Sequence, residues 1–187
     1  METTRNAVES IAQHKAFELT YRLVHADGHA VWVREKGRGE YDSEGNLLWI
    51  NGFIWDISTR KAVEDELQVS QQRFSSAFST APQGMALVSI SGELIEVNDE
   101  LCRILKYDRE TLLTTSVAQI THPQDRTSDT QNIRGLLAGR SNAYQIEKRY
   151  LDSQGKTLWI LLSVSLVRNS QGQALHFVSQ IQDFTQR

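Results

Sequence analysis

The side chains that could do chemistry in this chain are few, and their spacing argues against catalysis. The 187 residues include one cysteine, Cys102, so no internal disulfide can form, and a cytoplasmic setting is expected. The five histidines, His14, His25, His29, His122 and His176, are scattered and lack the ligand spacing of a zinc site, so no metal is expected. No Ser/His/Asp set stands at suggestive intervals, and no glycine-rich loop could cradle phosphate. The chain is therefore expected to have no catalytic residues and not to be an enzyme. Asp125 and Arg126 read as a helix start with local charge pairing. Asp56 and Asp183 each close a strand-like run, where a carboxylate can cap the helix that follows. With 20 Lys+Arg against 23 Asp+Glu, a formal charge of −3 and no basic run, the chain offers no phosphate-neutralising face. No nucleic-acid partner is expected. No apolar stretch approaches the ~20 residues of a membrane span, so no membrane partner is expected in this segment.

The elements that position these residues repeat. Residues 16–60 lie on residues 143–187 without a gap: Arg22 with Arg149, Gly28 with Gly155, Trp32 with Trp159, Gly45 with Gly172 and Asp56 with Asp183. AFELTYRLVHADGHAVWV thus meets AYQIEKRYLDSQGKTLWI. In the first copy Phe17, Leu19, Tyr21 and Leu23 alternate with polar residues, the period of a half-buried strand. Turns at Asp27-Gly28 and Ser43-Glu44-Gly45 separate it from two further strands. Each copy is read as a three-stranded antiparallel meander. Only a short helix, Thr3–His14, precedes the first copy, whereas a full set of elements precedes the second. The first copy is thus read as truncated and the chain as a piece of a longer protein. Its last strand, Leu47–Ile57, becomes an exposed apolar edge, with Trp32, Trp49 and Trp55 expected to cover the bared face.

Residues 58–80 read as one connecting helix, capped by Asp56 or Ser58 and ended near Pro82. Val63, Leu67 and Phe74 fall in a short heptad seam that suits a homodimer, aided by the exposed sheet edge. Beyond the proline, Met85–Ile90 and Glu93–Val97 read as a hairpin turning at Ser91-Gly92. Asn98 opens one short helix and Asp108 another, and Gln124–Leu137 reads as a single amphipathic helix.

At this point the residues resemble the PAS family. RFSSAFSTAPQGMALVSISGELIEVNDELCRILKYDRETLL resembles the opening of a sensory PAS domain, and THPQDR its middle loop. GKTLWI and QDFTQR resemble its C-terminal PAC part, and WDISTRK ends the first copy in the same way. Lys106 and Thr114 stand where glycine is common in the family. The resemblance implies an α+β fold: a five-stranded antiparallel sheet of order 2-1-5-4-3 with helices on one face, preceded by a three-stranded partial PAS. The spans are a partial PAS over 1–57, a signalling helix over 58–80 and a complete PAS domain over 81–187.

The resemblance also implies a sensory and dimerisation module of a bacterial signalling protein, with a histidine kinase or cyclic-dinucleotide enzyme as parent. The candidate pocket, by resemblance, comprises Met85, Leu87, Val97, Leu101, Ile104, Leu105, Ile133, Leu137, Trp159, Leu161 and Phe177. These residues are largely apolar, as a packed core would be, and suit a small apolar or aromatic ligand. No prosthetic group is expected; FAD or haem is the alternative. LOV-type flavin proteins carry an Asn-Cys-Arg motif on a later helix, whereas Cys102 sits in ELCRIL and the later stretch TTSVAQIT has no cysteine. Cys102 then reads as a small buried hydrophobe. Haem-binding members use a histidine on the helix before the meander, where this chain has none; His122 precedes that helix. In the family, the junction carried here by Asp56, Asp183 and Thr185 links sheet to output helix.

Overall fold

The computed structural model describes residues 2–185, and two compact units divide between Gln72 and Arg73. The first contains α1 (Glu2–Ala12), β1 (Phe17–Val24), β2 (Ala30–Tyr41), β3 (Leu47–Asp56) and most of α2 (Ser58–Ser79). Its three strands form an antiparallel sheet of order β1-β2-β3. The boundary between units thus falls inside the connecting helix and not at either of its ends.

The second unit continues with β4 (Gly84–Val88), β5 (Leu94–Val97), α3 (Asp99–Leu105), α4 (Arg109–Leu113) and α5 (Val117–Ile120). A 3-10 turn (Pro123–Asp125), α6 (Thr130–Leu137), β6 (Ala143–Leu151), β7 (Thr157–Arg168) and β8 (Ala174–Asp183) complete it. The sheet order is β5-β4-β8-β7-β6, which is 2-1-5-4-3 in the order of the strands along this unit.

The repeat extends to the hydrogen-bond register. Val33 pairs with Asp56 as Ile160 pairs with Asp183, and a bulge follows Glu40 as one follows Val167. Gly28 and Gly155 take φ of +90° and +76° at corresponding turns, a region that costs any side chain strain. The two meanders differ in their cover. In the second unit Ala86, Val97, Leu101, Leu105, Leu112, Leu136, Ile160 and Leu162 are almost wholly buried. In the first, β3 is exposed along nearly its whole length, Trp49 at 61%. Trp49 therefore stands mostly in solvent. Trp55 stacks on Phe53 along its own strand, and Trp32 lies under the charged ends of Arg22 and Lys61. The three indoles therefore do not form one cover over the sheet.

Several helix boundaries have local causes. Asn98 and Asp108 cap α3 and α4, accepting from Leu101 N and Thr111 N. Lys106 ends α3 at φ +57°, the left-handed cap usually given to glycine, while Thr114 at φ −95° does not. The single helix expected over 124–137 is instead a 3-10 turn and then α6. Pro123 opens the turn, and the Asp125 carboxylate is taken by Arg149 on β6. At the other end of the chain, α1 stops at Ala12 rather than His14; His14 has φ +59° and stacks on Tyr41.

Candidate functional site: a small cavity and two strand-to-helix junctions

The inward faces of β6, β7 and β8 follow from alternation. Lys148 and Tyr150 point inward on β6, as do Ile160, Leu162 and Val164 on β7 and Phe177, Ser179 and Ile181 on β8. Between these strands and α5 and α6 lies a cavity of about 170 Å³, open to solvent on one side. Its wall includes Val88, Val117, Ile133, Tyr144, Tyr150, Leu162, Val164, Phe177 and Ser179, with the Ile90–Gly92 turn at one side. The wall is not purely apolar. Asp129, just before α6, pairs with Lys148 at 3.2 Å, the two side chains 9% and 2% exposed. Tyr144 donates its hydroxyl to the same Asp129 oxygen at 3.3 Å. Burial, and then the Asp129 charge, push the Tyr144 phenol far above its ordinary range, so it stays a donor. The Lys148 ammonium also lies 5.4 Å from the centre of the Tyr150 ring.

Of the eleven residues expected to line a pocket, two line this cavity. Ile133 and Phe177 line the cavity. Val97, Leu101, Ile104 and Leu105 belong to the same packed core but do not line the cavity. Met85, Leu87, Trp159 and Leu161 lie on the opposite face of the sheet, because they alternate with the buried Ala86, Val88, Leu158, Ile160 and Leu162. Trp159 is 44% exposed, with the Arg149 guanidinium 5.4 Å above its ring. Leu137 is one position off: Leu136 is buried in its place. The groups that sequence reasoning missed are Asp129, Lys148 and Tyr144. The available signal was the inward register of Lys148 between Tyr144 and Tyr150.

The junctions repeat atom for atom. Trp32 N donates to Ser58 Oγ at 2.9 Å, Ile57 N donates to the Trp32 carbonyl, and Ser58 N donates to Asp56 Oδ1 at 2.7 Å. In the second unit Trp159 N donates to Thr185 Oγ1 at 3.0 Å, Phe184 N to the Trp159 carbonyl, and Thr185 N to Asp183 Oδ1 at 2.9 Å. Each junction thus pins the residue after the last strand to the middle strand of the meander. Hydrogen bonds from Ser58, foremost its side chain, hold the Asp56 carboxyl below the usual range. Along α2 the seam residues Val63, Leu67 and Phe74 are 60%, 58% and 48% exposed.

His122 caps the 3-10 turn, its Nδ1 accepting from Gln124 N. Cys102 packs against the core as a small hydrophobe, and burial pushes its thiol up. Beside the turn, the Arg149 guanidinium meets Asp125 at 2.6 Å and 3.0 Å, and Arg149 N donates to the same carboxylate. Chiefly through the Arg149 side chain, the Asp125 pKa is lowered from 3.8 to about 2. A depressed folded-state pKa contributes stability that is present above the unfolded value and lost as pH falls through the folded one. Asp125→Asn is therefore expected to lower stability by about 1–2 kcal/mol at neutral pH. In urea titrations its deficit against the parent should hold from pH 7 to about 5 and shrink below about 4.

One expectation about the histidines does not hold. His25 and His29 are not scattered: the β1–β2 turn brings them together with Asp27, one ligand atom of each within 4.8 Å of the others.

Residues 82–186 match the profile of the PAS domain family, and residues 1–54 match a profile described as PAS fold. The probable diguanylate cyclase DgcE of Escherichia coli is 36% identical over 140 residues, covering 75% of this chain and 13% of that protein. The sensor histidine kinase TmoS of Ectopseudomonas mendocina is 27% identical over 121 residues, covering 65% of this chain and 12% of that protein. The chain thus spans about an eighth of the length of these relatives. Among solved structures, the PAS domain of an HTR-like protein from Haloarcula marismortui superposes with a TM-score of 0.54 at 21% identity, covering 66% of this chain and 99% of that one. With more than half of its residues matched by the family profile, and with the family's strand order in the second unit, the chain belongs to the PAS domain family.

Proposed function

We propose that this chain is a non-catalytic sensory and dimerisation module of a bacterial signal-transduction protein, one whose output is of the histidine-kinase or cyclic-dinucleotide class. The observation that carries the reading is on β8. One strand presents Phe177 and Ser179 to the cavity and, a few residues on, Asp183 to the junction. A molecule that shifts β8 by tenths of an ångström changes the hydrogen bonds that hold Thr185, and so the start of whatever follows. The names of the relatives support the output class. The cavity favours a small ligand: an apolar cavity of about 150 Å³ accepts benzene, whereas drug-sized ligands fill ~300 Å³ or more. A six-membered ring bearing one polar group suits 170 Å³ and a wall that offers Asp129 and Tyr144 better than flavin or haem does. Phenol at millimolar concentration is expected to raise the melting temperature of the chain by a few degrees. A flat response to phenol and to cyclohexanol alike would remove the ligand.

The dimer rests on α2 and on β3, whose second edge is unpaired among the described residues, while β8 in the corresponding place is flanked by β7 and β4. Burying Val63, Leu67 and Phe74 against a second copy contributes at most ~1.5–3 kcal/mol each. Leu67→Asp is expected to weaken self-association by about 10-fold or more in sedimentation equilibrium. A variant that sediments as the parent does would rule out the helical seam.

A further inference from the structure

The tip of the β1–β2 hairpin is built from five residues, His25-Ala26-Asp27-Gly28-His29. His25 N donates to the His29 carbonyl at 2.7 Å, and Gly28 N to the His25 carbonyl at 2.9 Å. This closure puts residues 25 and 29 directly opposite one another, and their rings stack at 4.3 Å between centroids. The Asp27 carboxylate folds back from the apex, accepts from His29 N at 3.1 Å and touches His29 Nδ1. All three residues are exposed, so an ion can reach them from solvent.

The second copy supplies an internal comparison. The corresponding turn has the same closure, Asp152 N to the Lys156 carbonyl and Gly155 N to the Asp152 carbonyl. Its first and third positions are Asp152 and Gln154, and their side-chain oxygens hold the Lys106 ammonium at 2.8 Å and 3.3 Å. A cation therefore sits on this turn in the second copy, delivered by the end of α3. In the first copy the first, third and fifth positions are His, Asp and His. That exchanges an oxygen pair for two imidazole nitrogens and a carboxylate, donors that suit zinc-class ions and are poor for magnesium or calcium.

We propose that His25, Asp27 and His29 bind one divalent transition-metal ion of the zinc class, with water completing the coordination. The ion would sit at the start of β2, the strand that three residues after His29 carries Trp32, whose N donates to Ser58 Oγ at the first junction. Loading the hairpin tip thus acts on the strand that holds the start of α2, and gives the first unit an input of its own.

The test uses the full chain freed of any affinity tag. Co²⁺ is titrated in and followed by its visible d–d bands, with Zn²⁺ binding measured by calorimetry. One ion per chain is expected, displaced from Co²⁺ by Zn²⁺ and not by a large excess of Mg²⁺. The double variant His25→Gln/His29→Gln is expected to weaken binding by about 100-fold or more, since loss of even an outer-shell partner costs about 10- to 100-fold. His14→Gln, His122→Gln and His176→Gln should bind as the parent does. Absence of stoichiometric binding in the parent, or unchanged binding in the double variant, would overturn the site. Because the turn is exposed, circular dichroism of the double variant should match the parent, which separates loss of ligands from loss of fold.

Discussion

Asn98→Ala is expected to cost the second unit about 3–5 kcal/mol, a large part of the ~5–15 kcal/mol that holds a domain folded. Asn98 is 1% exposed and uses both ends of its amide. Its Oδ1 accepts from Met85 N at 2.8 Å and Leu101 N at 3.0 Å. Its Nδ2 donates to the carbonyls of Phe78 and Gln83 at 3.0 Å and 2.9 Å. One side chain therefore caps α3, fixes the first strand of the sheet and satisfies the last turn of α2. Alanine removes all four bonds, two of them, to Phe78 and Leu101, buried. The comparison is Asn169→Ala, in the exposed β7–β8 turn, where the lost bonds to Gln171 N and Gln173 N are replaced by water. Its cost should stay below about 1 kcal/mol. Urea unfolding of the two variants decides the matter. Equal midpoints would mean that Asn98 does not tie the helix to the core.

The second large effect concerns the buried pair behind the cavity, of which Asp129 lines the wall. Lys148→Ala is expected to destabilise by about 3–5 kcal/mol, because it strands the Asp129 carboxylate where only Tyr144 can meet it. The paired replacement Asp129→Leu/Lys148→Met removes both charges and fills part of the cavity. It is expected to be neutral or stabilising, since two ions taken from water seldom recover their desolvation in full. The sign of the coupling is the point: if Lys148→Met and Asp129→Leu each destabilise alone and the losses vanish in the double variant, the pair is retained for something other than stability. Additive losses would make the two residues independent and remove the reason to see a polar recognition wall there.

Much of the architecture was legible because backbone demands show in sequence. Turn glycines at fixed spacing mark hairpins, and the constant offset between the meanders reproduces even their bulges. Asn98 and Asp108 announce helix starts by their side-chain chemistry. The cavity was less legible, for a physical reason. Strand β7, TLWILLSVSLVR, carries apolar or small side chains on both faces, so its period does not say which face is inside. The pocket implied by the resemblance included Trp159 and Leu161, with Met85 and Leu87, which lie on the outer face of the sheet. Asp129 and Lys148 are 19 residues apart and acquire meaning only when α6 is laid against β6. The histidine cluster needed a different step, reading positions 25, 27 and 29 across a turn rather than along a chain.

The coupling between cavity and junction is open to one measurement. Uniformly ¹⁵N-labelled, methyl-labelled chain is titrated with phenol and followed by two-dimensional NMR. Saturable shifts are expected at the methyl groups of Val117, Ile133, Leu162 and Val164, with matching shifts at the amides of Trp159, Phe184 and Thr185 at the same midpoint. Val164→Phe, which fills the cavity, should abolish both sets. Methyl shifts without any response at Phe184 and Thr185, or no saturable shift at all, would contradict a sensor that passes cavity occupancy to its outgoing helix.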